Sequence, residues 1–167
     1  MKSVKDEFLK EDPTFFTNYE EKRQKGENDS YICFLIREDS VEEFISYVNQ
    51  HNISPTSKIL PSIFETNPFL IENKNTTLIE YAAFFGSIQI FQYLFINTNE
   101  LQSSVWLYGI HSKSAELINF LELNVSRIKD KYNSKNYDQC LIESIKCHHN
   151  DIADYIEFNL IDQPKKT

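Results

Sequence analysis

Glycine is scarce in this chain. Only Gly26, Gly86 and Gly109 occur among 167 residues, too far apart to assemble a phosphate-binding loop, and five prolines accompany them. So few turn formers exclude a sandwich or barrel that reverses every ten residues or so, and helices are favoured. Positive charge is also short: 17 Lys and Arg stand against 25 Asp and Glu, for a formal charge of −8. No basic patch offsets that total, so a phosphate backbone is repelled and nucleic acid is not an expected partner. Long apolar runs are missing as well. No window approaches the roughly 18 apolar residues of a membrane span, and the opening MKSVKDEFLKEDPTFF lacks the apolar run of a signal peptide. The sequence therefore reads as a soluble, intracellular, cytoplasmic protein with no membrane partner. In that setting three cysteines, an odd number, are expected as reduced thiols, and the sequons at Asn28, Asn52, Asn75 and Asn124 as chance matches.

What the chain does have is apolar and aromatic residues, 41% and 14% of the total, enough for the core of one domain. Their spacing is informative in TTLIEYAAFFGSIQIFQYLF, Thr76 to Phe95. Leu78, Ile79, Ala82 and Ala83 share one face of a helix with 3.6 residues per turn. Ile90, Phe91, Leu94 and Phe95 repeat the spacing beyond Gly86. Thr77 and Glu80 make a T-x-x-E capping box that starts the first helix at Leu78. Gly86 ends it, because glycine takes the left-handed conformation that turns the second helix back against the first.

The second helix recurs. Phe44, Ile45 and Val48 in VEEFISYV, Leu117, Ile118 and Leu121 in AELINFLE, and Ile152, Ala153 and Ile156 in DIADYIEF repeat the pattern. A helical piece precedes each copy, at Ile32–Arg37, Leu78–Phe84, Val105–Ile110 and Cys140–Lys146, with small residues matching at Ala82, Gly109 and Ser144. Ser40, Gly86, Lys113 and the pair His148/His149 fall at the turns. Such helix pairs cannot bury their faces alone; they stack.

These residues resemble the ankyrin repeat, T-P-L-H-x-A-A-x-x-G-x-x-x-[IV]-V-x-x-L-L, with Thr77, Ile79, Ala82, Ala83, Gly86, Ile90, Phe91 and Leu94 in register. Over roughly Asn28 to Leu160 the chain is similar to a divergent ankyrin-like domain family of unknown function expanded in parasitic protists. The resemblance implies an all-α, ankyrin-like helix-pair solenoid. Leu78 and Glu80 replace the proline and histidine of the usual turn, so the capping box has to substitute for that turn's network. Spacing is irregular: the equivalent residues Val48, Leu94, Leu121 and Ile156 are 46, 27 and 35 residues apart, against about 33 in the regular repeat. The long gap contains KILPSIFETNPFLI, read as an inserted short helix; the short gap lacks a full hairpin finger. Residues 1–27 read as an N-terminal helical cap, with an Asp-Pro start, a Phe15/Phe16/Tyr19 face and a Gly26 stop. Residues 28–160 read as the repeat domain of about four helix pairs, and 161–167 as a polar tail.

Chemistry has few footholds. Cys140, Cys147, His148 and His149 in CLIESIKCHH offer donors, but C-x6-C sets the cysteines two helical turns apart, where a zinc knuckle needs two to four residues. No metal or cofactor is expected. Cys33 and Cys140 read as small buried hydrophobes and Trp106 as a core anchor. Glu42/Glu43 and Asp151/Asp154 belong on solvated faces, no catalytic motif is present, and the protein is not expected to be an enzyme. Tyr81, Tyr93 and Tyr108 should flank the core with hydroxyls toward water.

A partner surface is the remaining expectation. The ankyrin resemblance implies that residues just before the turn glycine lie on a concave, partner-gripping face, which selects Phe84 and Phe85. Glu38/Asp39, His111/Ser112 and Lys146/Cys147 are the matching positions, and the finger residues Lys74 and Thr76 complete the face. The opposite outcome is that the inserted helix folds over Phe84 and Phe85 and buries them. The reading is a monomeric, non-enzymatic protein-protein interaction module, a scaffold or adaptor for an unknown protein partner. Two alternatives stay open: a metal- or thiol-dependent site at Cys147/His148/His149, and a self-associating structural repeat that pairs through the chain end around Ile152 and Ile156.

Overall fold

The computed structural model describes residues 13–98, 101–124, 126, 128 and 134–161, with the backbone alone at 13–17 and 134–136. Among the described residues ten α-helices follow one another: α1 Pro13–Lys25, α2 Tyr31–Arg37, α3 Val41–Gln50, α4 Pro68–Glu72, α5 Leu78–Phe85, α6 Ile88–Ile96, α7 Val105–Ser112, α8 Ala115–Leu123, α9 Ser134–Lys146 and α10 Asn150–Ile156, which runs into a π-helical turn at Glu157–Ile161. Among the described residues the only β-type pairings are two isolated bridges, Lys58 with Thr77 and Leu101 with Ile128. The protein is all-α. No described helix is long and apolar enough to cross a membrane.

The order of contacts follows the order of the pairs. α2 packs on α3, α5 on α6, α7 on α8 and α9 on α10; the first helices also meet in sequence, α2 with α5, α5 with α7, and α7 with α9. Local chemistry explains the starts and stops. Thr77 Oγ1 accepts the Glu80 amide while the Glu80 carboxylate accepts the Thr77 N–H at 2.9 Å, so the capping box opens α5 as its sequence requires. Glu80 is buried, and its second oxygen is occupied by the Ser104 hydroxyl at 2.5 Å. The box therefore also ties α5 to the segment that leads into α7.

All four pairs turn through one left-handed residue: Asp39 at φ 49°, Gly86 at φ 70°, Lys113 at φ 55° and His148 at φ 56°. The first turn is thus set by Asp39, one residue earlier than the Ser40 that the sequence suggested. Ser40, Ser87 and His149 each donate their amide back to the carbonyl five residues earlier, Leu35, Ala82 and Ser144, at 3.1, 3.0 and 2.9 Å. This is the Schellman closure, which satisfies carbonyls left over at a helix end. The third turn is closed by a side chain instead, with the Ser112 hydroxyl accepting the Ser114 amide at 3.1 Å.

Four residues before each turn residue lie Leu35, Ala82, Gly109 and Ser144, all at the core contact between first and second helices. Small size matters at the third of them, where a Cβ on Gly109 would stand 3.2 Å from Leu121 Cδ1 on the paired helix. Phe44, Val48, Ile90, Phe91, Leu94, Leu117, Ile118, Leu121, Ala153 and Ile156 of the second helices are buried as their periodicity requires, and Trp106, Cys33 and Cys140 join them. Tyr81 and Tyr108 differ from expectation. Both are buried, and their hydroxyls point to partners rather than water: Arg37 Nη1 donates to Tyr81 at 2.9 Å, and the Tyr108 hydroxyl lies 2.8 Å from Thr76 Oγ1.

The long gap is a built insertion. Asn67 caps α4 by accepting the Phe69 and Leu70 amides, Pro68 occupies the first helical turn, and the ends of the insertion are joined where Ile59 donates to Thr76 and Leu78 to Ser57. Asn28 secures the insertion to the first pair, donating from Nδ2 to the Leu60 carbonyl at 2.8 Å and accepting Arg37 on its own carbonyl at 2.9 Å. The Tyr19 ring of α1 meets Phe64 of the insertion edge-on at 5.3 Å. The Phe15 and Phe16 side chains, residues 1–12 and the tail from 162 lie outside the described residues.

Candidate functional site

Counting back from the four left-handed residues aligns the ends of the first helices. One row reads Arg37, Phe84, His111 and Lys146; the next reads Glu38, Phe85, Ser112 and Cys147. The expected pair at the first position, Glu38/Asp39, moves by one residue because Asp39 itself makes the turn.

The row is not a bare strip, because the insertion covers its centre. The Phe69 ring of α4 stacks on Phe84 with centroids 5.9 Å apart, and His111 lies 4.2 Å from Phe69 and 4.7 Å from Phe84. Phe84 is buried at 9% exposure, while Phe85 remains half-buried with its ring across those of Tyr81 and Phe84. Of the two outcomes open from sequence, cover by the inserted helix holds for Phe84. Lys146 is exposed, and Ser112 is half-buried with its hydroxyl donating to the Gly109 carbonyl at 2.6 Å.

Lys74 and Thr76 belong to a neighbouring feature. Together with Asn28, Ile59, Leu60, Pro61, Leu70 and Ile71 they line a cleft of about 270 Å³ between the insertion, the segment before α2 and Tyr81 of α5. Thr76 is buried in its wall: its hydroxyl donates to the Asn73 carbonyl at 2.7 Å and accepts from Tyr108. The rim is apolar and open, with Leu60 77% and Ile71 48% exposed. Leu60 and Ile71 belong to no helical face that repeats, so their only signal in the sequence is two apolar residues inside an insertion.

The residues gathered around Cys147 also differ from the sequence expectation. His148 is exposed at its turn, and His149 Nδ1 donates to the Ile110 carbonyl at 2.9 Å. The partners of Cys147 are instead His111 of α7 and Glu143, one turn back on α9. His111 Nδ1 lies 3.5 Å from Cys147 Sγ, and His111 Nε2 lies 3.2 Å from Glu143 Oε1. This network sets the tautomer: Nε2–H donates to the carboxylate and Nδ1 accepts from the thiol. Burial holds His111 below its ordinary pKa, against the pull of Glu143, and burial with the Glu143 charge pushes the Cys147 thiol up. The pair is thiol and neutral imidazole, without the thiolate an activated nucleophile requires. The pairing of α7 with α9 that brings these residues together has no local sequence signature, which is why spacing alone missed His111 and Glu143.

Ile156, expected near an open end, is buried, and Ile152 is packed against the core. No protein-family model, curated protein or solved structure matches the chain.

Proposed function

We propose that the four helix pairs form an ankyrin-like solenoid with a covered centre, and that the protein is a non-enzymatic interaction module, a scaffold or adaptor for another protein. The common register of Asp39, Gly86, Lys113 and His148 supports the repeat reading, since each turn closes the same helix-pair unit. The observation that carries the binding role is the cleft beside the first-helix ends. Its apolar lining and the exposed Leu60 and Ile71 at its rim make a concave surface that gains by burying a partner's apolar side chain. Lys74 beside it and Phe85, Ser112 and Lys146 along the row extend the face. It carries both charge signs and apolar area, which suits a protein partner better than a polyanion.

Affinity capture from a cell extract tests this. Wild type and an Ile96→Asp control, altered at an exposed apolar residue outside the cleft, should recover the same proteins, and the Leu60→Asp/Ile71→Asp variant should lose them while keeping its helical circular dichroism. Identical recovery by all three would remove the cleft from the binding face.

A further inference from the structure

We propose that His111, Glu143 and Cys147 form a binding site for one borderline-soft divalent transition ion, with Zn²⁺ as the best fit. One ligand atom from each residue lies within 4.8 Å of the other two. A tetrahedral zinc with bonds of about 2.0–2.3 Å separates its nitrogen, oxygen and sulfur ligands by roughly 3.3–3.6 Å. His111 Nε2 is already 3.2 Å from Glu143 Oε1 and 4.0 Å from Cys147 Sγ, so a shift of about half an ångström brings both pairs to coordination spacing, with the imidazole proton moving to Nδ1 as the ion takes Nε2.

Ligand chemistry narrows the ion. A thiolate, an imidazole and a carboxylate are the mixed donor set of zinc and its neighbours, whereas calcium and magnesium demand oxygen throughout. Charge also balances, since thiolate and carboxylate together neutralise a dication once the Cys147 proton has left for solvent. The surroundings hold the carboxylate in place: Lys146 Nζ bonds Glu143 Oε2 at 3.1 Å and leaves Oε1 for the ion. The rings of Phe69 and Phe84 pack against His111 and hold its ring in place. Three protein donors leave a fourth position for water or a partner's side chain. Because His111 comes from α7, Glu143 from α9 and Cys147 from the turn that follows α9, the ion clamps the third helix pair to the fourth.

The site is tested on untagged, metal-stripped protein titrated with Co²⁺ and then Zn²⁺. One equivalent of cobalt should produce a thiolate-to-cobalt charge-transfer band that zinc displaces, and zinc should raise the melting temperature. Cys147→Ser should abolish the band, and His111→Gln should weaken binding by about 100-fold or more, beyond the 10–100-fold usual for a mere supporting residue. His148→Asn, on an exposed residue whose left-handed backbone asparagine tolerates, should bind as wild type does. Should Cys147→Ser lose its helical circular dichroism, Glu143→Gln supplies the decisive comparison, with binding weakened and fold intact. No cobalt band in the wild type, or a band that survives Cys147→Ser, would overturn the assignment.

Discussion

Asp39 caps a helix to which it does not belong. Its Oδ1 accepts the Ile90 amide at 3.0 Å while Oδ2 accepts the Gln89 amide at 3.1 Å, so the carboxylate that closes the first helix pair seals the start of α6 in the second. Ser87, the local cap residue, spends its hydroxyl elsewhere, donating to the Ile36 carbonyl at 2.5 Å. Two adjacent pairs are thus joined by these three hydrogen bonds, all donated by the second pair to the first. Asp39→Ala should therefore destabilise by about 1–2 kcal/mol, the loss of a helix cap, in urea denaturation. Asp39→Asn should cost less, because asparagine keeps one acceptor and tolerates the left-handed backbone.

Lys113 makes the corresponding turn without a carboxylate role. Its φ of 55° is a conformation that costs a side-chain-bearing residue roughly 1 kcal/mol relative to glycine. Lys113→Gly should raise the denaturation midpoint, and a fall would show that the lysine side chain contributes more than its backbone strain costs.

The two central phenylalanines should separate sharply. Phe84 is enclosed by Phe69, Phe85 and His111, so Phe84→Ala should cost about 3–5 kcal/mol through lost burial and the cavity left behind. Phe85→Ala, at a half-buried ring, should cost clearly less. Thermal melts of the two variants side by side measure the difference, and equal losses would place Phe85 in the core as well.

Alkaline pH should weaken the fold through Tyr108. Burial pushes its pKa up to about 12 from an ordinary value near 10. A group whose folded pKa is raised contributes stability that is complete below the unfolded pKa and is lost as pH rises through the folded one. Stability should thus fall between about pH 10 and pH 12, the interval between those two pKa values. Tyr108→Phe should flatten that fall, since Thr76 keeps its bond to the Asn73 carbonyl. A slope unchanged by the substitution would assign the alkaline transition to other groups, Tyr81 first among them.

Helices were legible where sequence signals are local. The capping box at Thr77 and Glu80, the glycine stop at Gly86 and the 3.6-residue periodicity of the second helices act within a few residues, and each appears in the structure where the chain placed it. The turn at Asp39 falls one residue before the Ser40 that the pattern predicts, because a left-handed aspartate carries less sequence signal than a left-handed glycine. The inward hydroxyls of Tyr81 and Tyr108 are not legible in the sequence, because a tyrosine at the edge of an apolar face looks alike whether its hydroxyl meets solvent or Arg37 and Thr76. The cover over Phe84 and the Cys147 cluster depend on contacts between residues far apart in the chain, Phe69 with His111 and His111 with Glu143, which no local spacing encodes.

Hydrogen exchange read by mass spectrometry, on the protein with and without a partner recovered by capture, tests the binding face most directly. Protection should appear in residues 58–76 and at the C-terminal ends of α5 and α7, where Lys74, Phe85 and Ser112 sit, while the exposed sides of α3, α6, α8 and α10 exchange as before. Protection confined to those second helices, with residues 58–76 unchanged, would contradict the cleft-centred account.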